Sequence, residues 1–150
     1  MKRLLAALLA LTSPAVAGQT IWNTTGNWAI TGDVATKVCI ASTQYVETGQ
    51  QLLIAEYPEG WSLSLTGTAT VKGGTYLGEI VTRTTSEALQ GRGLGGGLVI
   101  FRLGYGATVR GLLTTDTVEL RGIGVFRTDG VLAAMAMTHA CFEDITGKAT

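Results

Sequence analysis

His139, Cys39 and Cys141 are the side chains of this 150-residue chain best suited to acid–base, nucleophilic or ligand chemistry. A Ser–His–Asp arrangement could draw on His139, but no Gly-x-Ser-x-Gly or comparable nucleophile setting accompanies it. Two cysteines and one histidine without ligand spacing make no metal site. Gly91-Arg92-Gly93-Leu94-Gly95-Gly96 fits G-x-G-x-x-G, a motif that holds a dinucleotide only between a strand and a helix N-terminus. The residues that follow, Leu98 to Leu103, read as a strand, so the run is read as a mobile or tightly turning loop. Glu56 and Glu59 flank a turn, and Glu143 and Asp144 fall at a helix end. Such scattered carboxylates read as solvated surface, and His139 as a packed or partly exposed structural residue. No catalytic, cofactor-binding or metal-ligating residue is therefore assigned, and no cofactor is expected.

The arginines carry the most testable chemistry. Val99, Phe101 and Leu103 alternate on one side, and Ala107, Val109 and Leu113 alternate after Gly104-Tyr105-Gly106. Facing residues of an antiparallel pair share a face, so these sets coincide if the connecting loop has an odd number of residues. A three-residue Gly-Tyr-Gly loop satisfies this. Past Thr115-Asp116, Val118 and Leu120 join the same face. Arg102, Arg110 and Arg121, with Glu119 and Arg127 nearby, then fall on the opposite face. That face is a candidate binding surface for an anionic sugar or a protein, or else an ordinary exposed sheet with Glu119 paired to its neighbours.

The elements that must position these groups begin after a leader. Lys2 and Arg3 form a positive n-region, Leu4 to Leu11 is an unbroken apolar run, and Ala15-Val16-Ala17 supplies a small-x-small cleavage pattern. Residues 1–17 thus read as a signal peptide, with an apolar run about half of what a membrane span needs. A single mature domain over 18–150 is expected, of 150 − 17 = 133 residues. Losing Lys2 and Arg3 from the 11 basic residues leaves 9 against 11 acidic ones. That balance offers no reason to propose a nucleic-acid partner or an anionic membrane. In an oxidising compartment the two cysteines pair, so a Cys39–Cys141 disulfide is expected.

Strand-like segments follow quickly: Trp28 to Ile30, Val38 to Thr43, Gln51 to Glu56, Trp61 to Leu65, Ala69 to Lys72 and Tyr76 to Arg83. Trp61-Ser62-Leu63-Ser64-Leu65 alternates apolar and polar, the pattern of a half-buried strand. The 21 glycines among Val, Thr, Ile and Leu suit a twisted, tightly turning β protein. Val131 to Phe142 reads as a helix capped by Thr128 or Asp129, with Leu132, Met135, His139 and Phe142 on one face. Trp22, Trp28 and Trp61 read as core anchors. The fold class is mainly β, an antiparallel β-sandwich or small barrel with one C-terminal α-helix.

Asn27-Trp28-Ala29-Ile30, Val38-Cys39-Ile40-Ala41-Ser42 and Thr48-Gly49-Gln50-Gln51-Leu52 follow one another in the first half of the domain. Val118-Glu119-Leu120, Leu132-Ala133-Ala134 and Cys141 come near its end. In this order of features the chain resembles small secreted proteins of Gram-negative bacteria in the invasion-associated locus B family. The resemblance implies a periplasmic or surface β-domain without known catalysis. The expectation is a secreted or periplasmic, non-enzymatic β-domain that binds a protein or envelope component. A small-ligand carrier with an apolar cavity lined by Phe101, Val109 and Leu120 is a second reading, and a hydrolase or hydrolase inhibitor a third. The inhibitor would present Gly91 to Gly97 as a protruding loop.

Overall fold

The computed structural model describes residues 19–68 and 72–147; the signal peptide expected over 1–17 and most of the strand expected over Ala69–Lys72 lie outside them. Among the described residues there are ten strands: β1 Gln19–Thr25, β2 Trp28–Asp33, β3 Val38–Gln44, β4 Gln51–Tyr57, β5 Gly60–Leu65, β6 Thr75–Val81, β7 Ser86–Gly95, β8 Leu98–Gly104, β9 Thr117–Leu120 and β10 Gly124–Arg127. The helix α1, Ala107–Leu112, lies between β8 and β9, and α2, Val131–Thr146, closes the chain. All pairings are antiparallel, in the order β1-β2-β3-β4-β5-β8-β7-β6-β9-β10. The sheet is open, since β1 and β10 remain its two edges. This is the expected mainly β architecture with a C-terminal helix.

Period-2 alternation builds the concave face. Ile30, Ala41, Ile54, Leu63, Phe101 and Leu120 point into one buried cluster from six different strands. Helix α2 lies against β1 to β4 on this face. Its burial stripe is Val131, Ala134, Met135, Thr138, Cys141 and Phe142. The expected stripe is therefore turned by about one residue, and Leu132 is 59% exposed. The cause is covalent: Cys141 is bonded to Cys39 of β3, with Cα atoms 6.1 Å apart, and this sets which side of the helix meets the sheet. Gly32, opposite Cys39 on β2, leaves the room, since a Cβ there would come within 2.9 Å of the Cys141 sulfur. The helix starts after Gly130, whose φ of 77° suits glycine, rather than on a Thr128 or Asp129 side-chain cap.

Two further expectations are corrected. Residues 107–113 do not form a strand, because β8 already has β5 on one side and β7 on the other, which leaves them no edge to pair with. They turn instead into α1, whose Thr108 donates from its backbone N–H (2.9 Å) and its Oγ1 (2.6 Å) to the Glu87 carboxylate. A helix also buries Val109 and Leu112 together, while Leu113 is exposed. Secondly, Gly91 to Gly95 is not loop but strand. The Phe101 ring lies against Gly91 and Gly78, where a Cβ would come within 2.5 and 2.6 Å of it. The turn is confined to Gly96 and Gly97, with φ of 61° and 77°.

Candidate functional site

Leu52, Ile54 and Glu56 alternate on the inner side of β4, so the β period itself carries a carboxylate into the core, where Glu56 is 2% exposed. His139 of α2 meets it, with Nδ1 3.0 Å from each carboxylate oxygen. The other ring nitrogen, Nε2, lies 3.3 Å from Glu143, one helical turn on. Burial pushes the Glu56 carboxyl up, and the hydrogen bond and charge of His139 pull it back. Glu56 is opposite Cys39 in the β3–β4 register, so this contact and the disulfide grip α2 side by side. Both imidazole nitrogens face carboxylates, a geometry that holds the ring rather than aims it at a nucleophile. The pairing crosses 83 residues; the one local signal for it is the inward parity of Glu56.

The arginine face does not assemble as a set. Arg110 sits on α1, with Nη1 3.5 Å from the Tyr105 carbonyl. Arg121 pairs with Glu79 at 2.7 Å and lies 3.8 Å from Glu119, and Arg127 pairs with Asp129 at 2.9 Å. The shared face required a hairpin that α1 replaces. Arg102 stands on the convex side of β8, its guanidinium carbon 5.2 Å from the centre of the Tyr57 ring. Its cationic neighbour across the strands is Arg92, hidden in sequence within the glycine run. These two border a shallow depression of about 580 Å³.

A larger, open cleft of about 820 Å³ lies where the β3–β4 turn faces the β9–β10 hairpin. Tyr45 and Phe126 form its floor, their ring centroids 5.6 Å apart. The Tyr45 hydroxyl donates to the Arg127 carbonyl at 2.7 Å, and Trp28 Nε1 donates to the Asp129 carbonyl at 2.8 Å. These bonds tie the last strand to β2 and β3 across the open side of the sheet. Burial, with the nearby Asp129 charge, pushes the Tyr45 phenol up to about 12. Apolar side chains stay exposed on the rim: Val46, Ile123 and Val125. β10 is an edge strand, and Thr128 N–H donates back to Asp116. Antiparallel alternation then turns the N–H and C=O of Val125 toward the open side, as the Arg127 carbonyl already is. Sequence reasoning had no access to this cleft, whose walls are over 70 residues apart in the chain.

The interior positions proposed for a carrier cavity are occupied by side chains. Phe101 and Leu120 are 1% and 2% exposed within one packed cluster, with Val109 against them at the α1 end. No protein-family model, no curated protein and no solved structure matches the chain.

Proposed function

We propose that this chain is a secreted or periplasmic, non-enzymatic β-domain that binds a protein or envelope component at the cleft between the β3–β4 turn and β10. The observation that carries this reading is an open edge strand, β10, bordering a cleft with exposed apolar rim residues. An edge with outward-turned peptide groups is a template for an added strand, and natural proteins blunt such edges unless they are used. Val125 is the residue whose backbone and side chain both serve it. The Cys39–Cys141 bond favours an oxidising compartment, and the resemblance to invasion-associated locus B proteins points to the same place.

The test is capture of partners by the mature protein from its own envelope extract, beside a Val125→Pro variant that loses the edge N–H. A specific partner retained by the parent and lost by the variant is expected. Equal capture by both, with the variant folded by circular dichroism, would remove the cleft from the reading.

A further inference from the structure

The convex face of the sheet carries a second feature, independent of the cleft. Arg92 is opposite Ile100 in the β7–β8 register, and Arg102 is two residues further along β8 on the same face. The two arginines are therefore diagonal neighbours, a separation that long side chains span easily. Like charges at that spacing repel weakly in water, and a carboxylate placed between them would be attracted by both. Here Thr75, Gln90, Leu94 and Ile100 surround them, and the depression has no acidic residue among its lining. Among the described residues neither arginine has an ion pair; Glu79, on the same face of β6, is engaged by Arg121.

The surroundings narrow the ligand class. Tyr57 supports the guanidinium of Arg102 from one side, which leaves its planar N–H edge available. Gly73 contributes no side chain to the depression and Gly91 directs its substituent position to Phe101 on the other face, so a sugar ring can approach the backbone there. Gln90 and Thr75 offer neutral donors and acceptors suited to hydroxyl groups, and Leu94 and Ile100 offer apolar surface to a sugar's C–H face.

We infer that Arg92 and Arg102 form a binding site for a carboxylated glycan, its carboxylate held between the two guanidinium groups. Fork-to-carboxylate pairing gives both charge compensation and direction, and the shallow shape suits one or a few residues of an extended polymer.

The probe is a short oligogalacturonate, titrated into the mature protein and followed by calorimetry and by the arginine Nε–H resonances. Saturable binding with shifts confined to Arg92 and Arg102 is expected, with no response to a neutral maltooligosaccharide. Arg92→Gln and Arg102→Gln should each weaken binding by about tenfold, as loss of one charge-assisted hydrogen-bonding partner does. Arg83→Gln, an exposed arginine outside the depression, should leave it unchanged. Absence of binding, equal loss with Arg83→Gln, or equal response to the neutral sugar would each overturn the site. Binding to anionic phospholipid vesicles with none to the oligogalacturonate would also overturn it, in favour of a membrane surface. Val125→Pro should not alter this titration, so the failure of either site is separable from that of the other.

Discussion

The two halves of the sheet solve the same problem in different ways. Strands β1 to β4 bury their inner face under α2, and that helix is held by a disulfide and by the Glu56–His139 contact. Strands β5 to β10 are covered by no long helix. Their inner space is filled by large side chains seated on bare backbone, with Phe101 over Gly78 and Gly91, and α1 fills in beside β7 and β8. The first half is clamped and the second is close-packed. A clamp tolerates imperfect shape because a covalent bond restricts the unfolded chain; close packing tolerates almost none, because dispersion contacts fade within an ångström. Gly78 and Gly91 make room for a ring in the close-packed half, whereas Gly32 in the clamped half makes room for the disulfide.

The largest expected effect falls on the clamped half. Removing the disulfide, as Cys39→Ala with Cys141→Ala or by reduction, should cost about 4 to 5 kcal/mol for a loop of about 100 residues in the chain-entropy model. Urea unfolding with and without reductant measures it. A loss below about 1 kcal/mol would mean that the apolar stripe of α2 holds the helix unaided, and the contrast between the halves would collapse.

In the close-packed half, Gly91→Ala should destabilise by about 1 to 3 kcal/mol, the usual range for overpacking. Thermal unfolding of that variant and of a double variant with Phe101→Leu sharpens the point. If the smaller side chain recovers part of the loss, the ring and the glycine are coupled. A neutral Gly91→Ala would show that the ring moves aside freely and that the glycine serves another purpose.

The smallest effect concerns the seam where the halves meet. Tyr45→Phe deletes the hydroxyl bond to Arg127 and should cost about 1 kcal/mol at neutral pH. The folded phenol is raised from 10.0 to about 12, by burial first and then by Asp129. A raised folded value means the contribution is complete below pH 10 and is lost as pH climbs toward 12. Parent and variant should therefore converge in stability over that window. Absorbance titration of the phenolate at its ordinary pH would show the seam to be open in solution.

Much of the architecture was legible because it is written in short-range periodicity. Val118 to Leu120 shows its inward face in three residues, and the structure keeps it. Trp61 to Leu65 keeps its apolar side inward, but Ser62 and Ser64 are buried as well, so the strand expected to be half-buried is covered on both faces. The errors share one cause. Over 107–113 a strand pattern and a helical pattern coincide within six or seven residues, and the choice was made by β5 and β7 occupying both sides of β8. Gly91 looks like a loop residue until Phe101 is placed above it. The arginine face failed with the hairpin that was to build it. Arg92 went unnoticed because glycine neighbours disguised its strand.

What the amino-acid sequence by itself determined is the mainly β class, the inward set on β5, β8 and β9, the terminal helix and the pairing of its only two cysteines. Each follows from local side-chain period or from simple counting. Tertiary structure alone decided the rotation of α2, the conversion of 107–113 to helix, and the meeting of His139 with Glu56. It also decided which arginines keep a carboxylate partner. These depend on which strand edges are already taken and on contacts between residues many tens of positions apart, where no local pattern reaches.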